Sequence, residues 1–185
     1  VPANIDFKTK PQIALDQIEW ACTARLPRGD VIADAGYGAE ASFRSRITDL
    51  GLRYVVGVKS TNTACRRRAS GTACRRRASG TMPRDDARKR VSVEELALGL
   101  AEREWRRIGW RQGTNEKSSG RFARVRVHSA HDRRAATENA TEEWLLIEWP
   151  EDEKKPTKYW LSTLRESITF THLVHMTKLR WRIER

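Results

Sequence analysis

Cysteine is scarce in this chain: three occur in 185 residues, at positions 22, 65 and 74. An odd count leaves no complete disulfide framework, and the spacing matches no metal-ligand pattern. The expectation is a reducing, intracellular (cytoplasmic) setting. Long apolar runs are missing too. The runs present are short, of the Tyr54-Val55-Val56 kind, far from the roughly 20 residues that span a bilayer, so no membrane partner is expected. No secretory leader opens the chain, and neither does an initiator methionine: it begins Val1-Pro2-Ala3, which reads as a fragment of something longer. Acidic residues are also in short supply. Asp and Glu total 24 against 36 Lys and Arg, a formal net charge of +12 and an isoelectric point near 10.3. A polyanion is the obvious partner, and nucleic acid is the commonest one.

What is present argues for a folded domain. Seven tryptophans and 38% hydrophobic residues exclude wholesale disorder, despite a mean hydropathy of −0.71. The length suits one domain with a real core, or a small core plus an inserted module. The charge is unevenly spread: residues 66–90 hold ten Arg/Lys and two Asp, so this one segment supplies +8 and the rest of the chain +4.

Along the chain, apolar residues Ile13, Ala14, Ile18, Ala21 and Cys22 recur at helical spacing over residues 11–24, with Pro11 suited to a first turn. Leu26-Pro27-Arg28-Gly29-Asp30 breaks that helix. Val31-Ile32-Ala33-Asp34 then reads as a short buried strand, followed by Ala35-Gly36-Tyr37-Gly38 and a helix over 39–50 that gathers Phe43, Ile47 and Leu50 on one face. The β-branched stretch 53–59 reads as a second buried strand. Helix, strand, helix, strand is an α/β signature.

The next stretch has a different character. Residues 63–71, Thr-Ala-Cys-Arg-Arg-Arg-Ala-Ser-Gly, are repeated without change as residues 72–80. A perfect tandem copy offers no apolar face to pack and reads as a loop whose length varied by duplication. Each copy carries Arg-Arg-Ala-Ser, a basophilic kinase consensus at Ser70 and Ser79, although short basic runs before serine arise readily by chance. Ser92-Val93-Glu94-Glu95 opens a short helix as a capping box. Stretches 105–110, 122–127, 144–149 and 158–162 are strand-like, several alternating apolar with charged residues, and polar loops separate them. They form a small antiparallel β module. Residues 171–185 return to helix, with Thr177, Arg180, Trp181 and Glu184 on one continuous face. That helix ends without a cap or glycine, as though cut.

Asp34 is the residue with the most chemical promise. A carboxylate ending a buried strand is costly unless something positive meets it, and in open α/β sheets chemistry collects at the carboxyl ends of strands. The simpler reading makes Asp34 a helix cap. Glu184, by itself, reads as a solvated helix residue paired with Arg180. Together they could form a carboxylate pair that binds Mg²⁺ for phosphoryl transfer, although nothing local brings them together. His128/His131 and His172/His175 are i, i+3 pairs that suggest zinc, yet no cysteine pair accompanies either.

Four blocks carry a family resemblance: Val31-Ile-Ala-Asp34-Ala-Gly-Tyr-Gly, Gly51-Leu-Arg-Tyr-Val-Val-Gly-Val, Lys158-Tyr-Trp-Leu-Ser and Lys178-Leu-Arg-Trp-Arg-Ile-Glu184-Arg. In this order they resemble bacterial insertion-sequence transposases of the DDE superfamily. The resemblance implies a partial RNase H-like α/β core that lacks its first strands, with an inserted antiparallel β module and a C-terminal helix. The implied divisions are 1–60 for the partial core, 61–90 for a basic repeat-containing loop, 91–166 for the β-rich insertion and 167–185 for the helix bearing the catalytic Glu.

It implies DNA strand cleavage and transfer, with Asp34 and Glu184 as catalytic residues and as ligands of a two-metal Mg²⁺ site (Mn²⁺ in its place is compatible). The first Asp of the triad would lie upstream of Val1, leaving these residues inactive on their own. Arg180 matches the family's arginine four residues before the Glu and would hold a DNA phosphate. Thr177 stands where related groups carry tyrosine. Lys59 and Lys158 are further phosphate candidates, and Trp160 is the candidate to stack on a flipped base. The partner is DNA, at element ends and target. The setting would be the bacterial cytoplasm at the nucleoid, and a homodimer is one arrangement open to the full-length protein. Two other readings compete: a non-enzymatic basic nucleic-acid-binding module, and an RNase H-like nuclease.

Overall fold

The computed structural model describes residues 7–66, 90–112, 116–129 and 142–179. Helix α1 (Lys10–Thr23) starts at a reciprocal cap: the Thr9 hydroxyl accepts from the Gln12 amide while the Gln12 side chain accepts from the Thr9 amide. Strand β1 (Val31–Ala33) leads into α2 (Ala35–Gly38), α3 (Ala41–Asp49) and β2 (Tyr54–Val58). The chain continues through β3 (Thr63–Arg66), β4 (Val91–Ser92) and α4 (Val93–Leu98), the last capped by the Ser92 hydroxyl on the Glu95 amide. Strands β5 (Trp105–Gln112), β6 (Glu116–Ser129), β7 (Glu142–Trp149) and β8 (Lys158–Ser162) precede α5 (Phe170–Lys178).

All eight strands join one sheet, in the order β1-β2-β8-β7-β6-β3-β4, with β5 also on β6. Among the described residues only β1 and β2 run parallel; every other pairing is antiparallel. This is the mixed α/β architecture with a C-terminal helix expected of a partial RNase H-like core. The four antiparallel strands read from the sequence continue the α/β sheet through β8, whose Leu161 and Trp160 stand opposite Val56 and Gly57 of β2.

Strand alternation splits the interior into two cores. On one face, Tyr54, Val56, Leu145, Ile147 and Leu161 pack with Phe43 and Ile47 of α3 and Leu96 of α4. On the other, Val55, Phe122, Leu146 and Trp144 pack with Leu173 and Val174 of α5. Burial on both faces is why β2 and β7 read as nearly continuous apolar runs.

Three expectations need correction. Val31–Ala33 is half-buried rather than buried, because among the described residues β1 pairs with β2 alone. Ala35–Gly38 forms a helical turn of its own, so the helix expected over 39–50 begins afresh at Ala41. The start of the first repeat copy is strand, not loop: Cys65 stands opposite His128 of β6, and Ala64 and Cys65 are buried. Four residues suffice to pack there because they add to an existing sheet edge. The rest of the first copy, with Ser70, and the whole second copy, with Ser79, lie outside the described residues. No helix among the described residues is long and apolar enough to cross a membrane.

Candidate active site at the end of strand β1

Asp34 follows β1 directly and caps α2. Its backbone is extended, and its Oδ1 accepts a 2.7 Å hydrogen bond from the Gly36 amide. Its carbonyl accepts from the Gly38 amide at 2.8 Å. Asp34 is therefore a cap, of the α2 turn and not of the helix expected over 39–50, and it also lines a cavity of about 230 Å³. A carboxylate at the carboxyl end of a parallel strand, facing a cavity and held by a backbone amide, is oriented before any ligand arrives.

The glycines around it allow close approach rather than a left-handed backbone; among the described residues Gly51 is the positive-φ glycine. A Cβ on Gly38 would overlap the Gly57 carbonyl oxygen and come within 2.6 Å of Val56 Cβ. A Cβ on Gly57 would lie 2.8 Å from the Ala35 amide nitrogen. Helix α2 thus rides on β2 backbone to backbone, which fixes where Asp34 emerges.

The cavity collects residues from distant elements: Asp34 from the end of β1, Gly57 from β2, Lys158 and Trp160 from β8, and Thr177 from α5. Two of the predicted DNA contacts, Lys158 and Trp160, therefore meet Asp34. Lys59 does not line the cavity; it sits exposed just past β2, its amide bonded to Asn62 Oδ1 at 2.8 Å. Thr177 is buried, and its hydroxyl donates to the Val174 carbonyl at 2.8 Å. Arg180 and Glu184 lie outside the described residues.

A charge cluster beside the cavity went unread in the sequence. Glu148 of β7 is buried, yet Lys178 Nζ reaches both of its carboxylate oxygens, at 2.8 and 2.7 Å. Lys158 Nζ stands 3.9 Å from the same carboxylate and is much more exposed. Lys178 also lies over Trp110, at 4.2 Å from the ring centroid, with Phe122 and Trp160 at 5.5 and 5.6 Å. Burial pushes the Lys178 ammonium below the usual lysine range; Glu148 pulls it back up and Lys158 adds a further push down. The available signal was a glutamate at the same strand parity as Trp144 and Leu146, in a run otherwise apolar on both faces.

His131 lies outside the described residues, His128 is buried near Glu142, and His175 Nε2 is 3.4 Å from the Gly109 carbonyl. Among the described residues no three His, Cys, Asp or Glu side chains form a group that could hold a metal ion.

The mixed sheet, with Asp34 at the end of its outer parallel strand, is an α/β domain consistent with a partial RNase H-like core. The family model described as DDE superfamily endonuclease matches residues 1–117, well over half of the chain. The chain belongs to the DDE superfamily of endonucleases, whose members act on DNA with divalent metal ions. The matched stretch contains Asp34 and ends at the β5–β6 hairpin; Glu184 falls beyond it. No curated protein matches the chain.

Proposed function

We propose that the chain is part of the catalytic domain of a DNA transposase of the bacterial insertion-sequence kind, cleaving and joining DNA strands with Asp34 and Glu184 as metal ligands. One observation carries the reading. Helix α5, which leads towards Glu184, crosses to the Asp34 side of the sheet, and its Thr177 lines the cavity that Asp34 lines. Glu184 follows Thr177 by seven positions in the sequence.

The residue chemistry fits Mg²⁺. A carboxylate lining an open cavity is the hard oxygen donor this ion takes, usually one or two per ion with substrate phosphate completing the shell. When bound, the ion pair supplies Lewis acidity to the scissile phosphate and activates the attacking hydroxyl. The chain's own residues do the rest. Asp34, fixed by the Gly36 amide, presents its carboxylate in one orientation. Lys158 offers a mobile cation to the phosphate backbone on the cavity wall. Arg180 holds a second phosphate through its planar fork, and Trp160 offers an aromatic surface to an unpaired base.

The test uses the full-length protein on DNA bearing the element's ends. Asp34→Asn and Glu184→Gln should each abolish Mg²⁺-dependent cleavage and strand joining while leaving DNA binding intact. Cleavage without joining in the wild type would reassign the chain as a nuclease. Full activity in both variants would leave only a basic DNA-binding module.

A further inference from the structure

Glu148 has two lysines within reach and holds one of them. Both of its oxygens are taken by Lys178, at 2.7 and 2.8 Å, while Lys158 stays at 3.9 Å. The difference in surroundings is large: the Lys178 side chain is 16% exposed and boxed by Trp110, Phe122 and Trp160, whereas that of Lys158 is 55% exposed and lines the Asp34 cavity. Register places Glu148 directly opposite Lys158 on the neighbouring strand. Cross-strand pairs of opposite charge attract at this separation, so an unoccupied Glu148 would draw Lys158 down onto the sheet.

We infer that Lys178 is a positioning residue that holds Glu148, so that Lys158, 3.9 Å from the same carboxylate and more than half exposed, keeps its ammonium on the cavity wall to hold a DNA phosphate. The inference rests on the DNA-cleaving reading of the Asp34 cavity and deepens it: a half-buried lysine that never touches the nucleic acid decides whether a neighbouring exposed lysine does. The cluster carries one net positive charge, two ammoniums against one carboxylate, and the Lys178–Glu148 pair directs that charge to the outer member. Removing Lys178 leaves a buried carboxylate whose nearest remaining cation is Lys158. Removing the carboxylate's charge as well leaves Lys158 where it was.

The experiment measures the salt dependence of binding to a short DNA duplex of arbitrary sequence by the full chain, without divalent metal. Each phosphate contact contributes about 0.9 to the slope of log K against log salt. Lys158→Met should lower the slope by about one contact. Lys178→Met should lower it by the same amount, and the Lys158→Met/Lys178→Met double variant should fall no further. Lys178→Arg and the Lys178→Met/Glu148→Gln double variant should both return to the wild-type slope. A general loss of structure would not be reversed by neutralising a carboxylate, so the rescue separates positioning from folding.

Should Lys178→Met not fold, the wild type still decides. In side-chain ammonium NMR, adding the duplex should shift the Lys158 Nζ signal and leave that of Lys178 in place. An unchanged slope for Lys178→Met, additive losses in the double lysine variant, or a Lys178 signal that moves with DNA would overturn the inference. A wild-type chain with no salt-dependent DNA binding at all would instead overturn the functional reading beneath it.

Discussion

The carbonyl oxygen of Gly57 occupies the space where a side chain on Gly38 would begin, with Val56 Cβ only 2.6 Å from that point. Two glycines 19 positions apart in the sequence thus let a helical turn and a strand meet without side chains between them. The neighbour is backbone and a β-branched side chain, neither of which swings aside. Gly38→Ala should therefore destabilise the fold by about 1–3 kcal/mol, the usual cost of overpacking, read as a lower denaturation midpoint at unchanged slope. Gly29→Ala is the control, since nothing lies within 4 Å of its Cβ position; it should stay within about 0.5 kcal/mol of wild type.

Asp34 has two separable duties, and substitution can divide them. Asparagine caps helices about as well as aspartate, whereas alanine loses about 0.5–2 kcal/mol. Asp34→Asn should keep wild-type thermal stability, because an amide oxygen still accepts from the Gly36 amide. Its cleavage rate in the full-length protein should fall at least about 100-fold, since even groups that merely support metal ligands cost up to that much. Asp34→Ala should lose both stability and activity. Equal cleavage by Asp34→Asn and wild type would confine Asp34 to capping.

How much of this was legible beforehand follows from range. Asp34 stood out because an apolar strand ending in a carboxylate and flanked by glycines is a local pattern, and the strands themselves followed from β-branched and alternating residues. That Lys158, Trp160 and Thr177 would share a cavity with Asp34 is long-range information, set by β8 pairing with β2 across more than 100 residues. Residues 63–66 misled because a tandem repeat suggests a loop, while an existing sheet edge can recruit any short stretch with two small or apolar side chains. Glu148 was hidden for the opposite reason. A buried carboxylate looks like an error until its partner is known, and Lys178 lies 30 residues downstream.

The Lys178–Glu148 pair should show the asymmetry of buried charges. Breaking it by removing one partner leaves an uncompensated charge and typically costs about 3–5 kcal/mol, whereas replacing both partners with apolar groups of similar size is often neutral. Lys178→Met should be destabilised towards the lower end of that range, because Lys158 is close enough to compensate in part. Lys178→Met/Glu148→Leu should recover most of the loss. Chemical denaturation of the two variants beside wild type measures the difference, and additive destabilisation in the double variant would show that the two side chains are not coupled.

Tyr159 predicts how the fold responds to alkali. Its ring is buried and its hydroxyl donates to the Pro156 carbonyl at 2.6 Å. Burial, with Glu94 nearby adding negative charge, pushes its phenol up to about 12 from an ordinary 10. The folded chain therefore keeps this proton at pH values where the unfolded chain has released it. An acid held protonated in this way contributes stability that is complete below pH 10 and is lost as pH climbs from 10 towards 12. Tyr159→Phe should remove that part of the alkaline loss, while giving up about 1 kcal/mol at neutral pH with the hydrogen bond. Urea denaturation at successive pH values from 8 upward should give two curves that converge with rising pH. Parallel curves would place Tyr159 in water-like surroundings and out of the core.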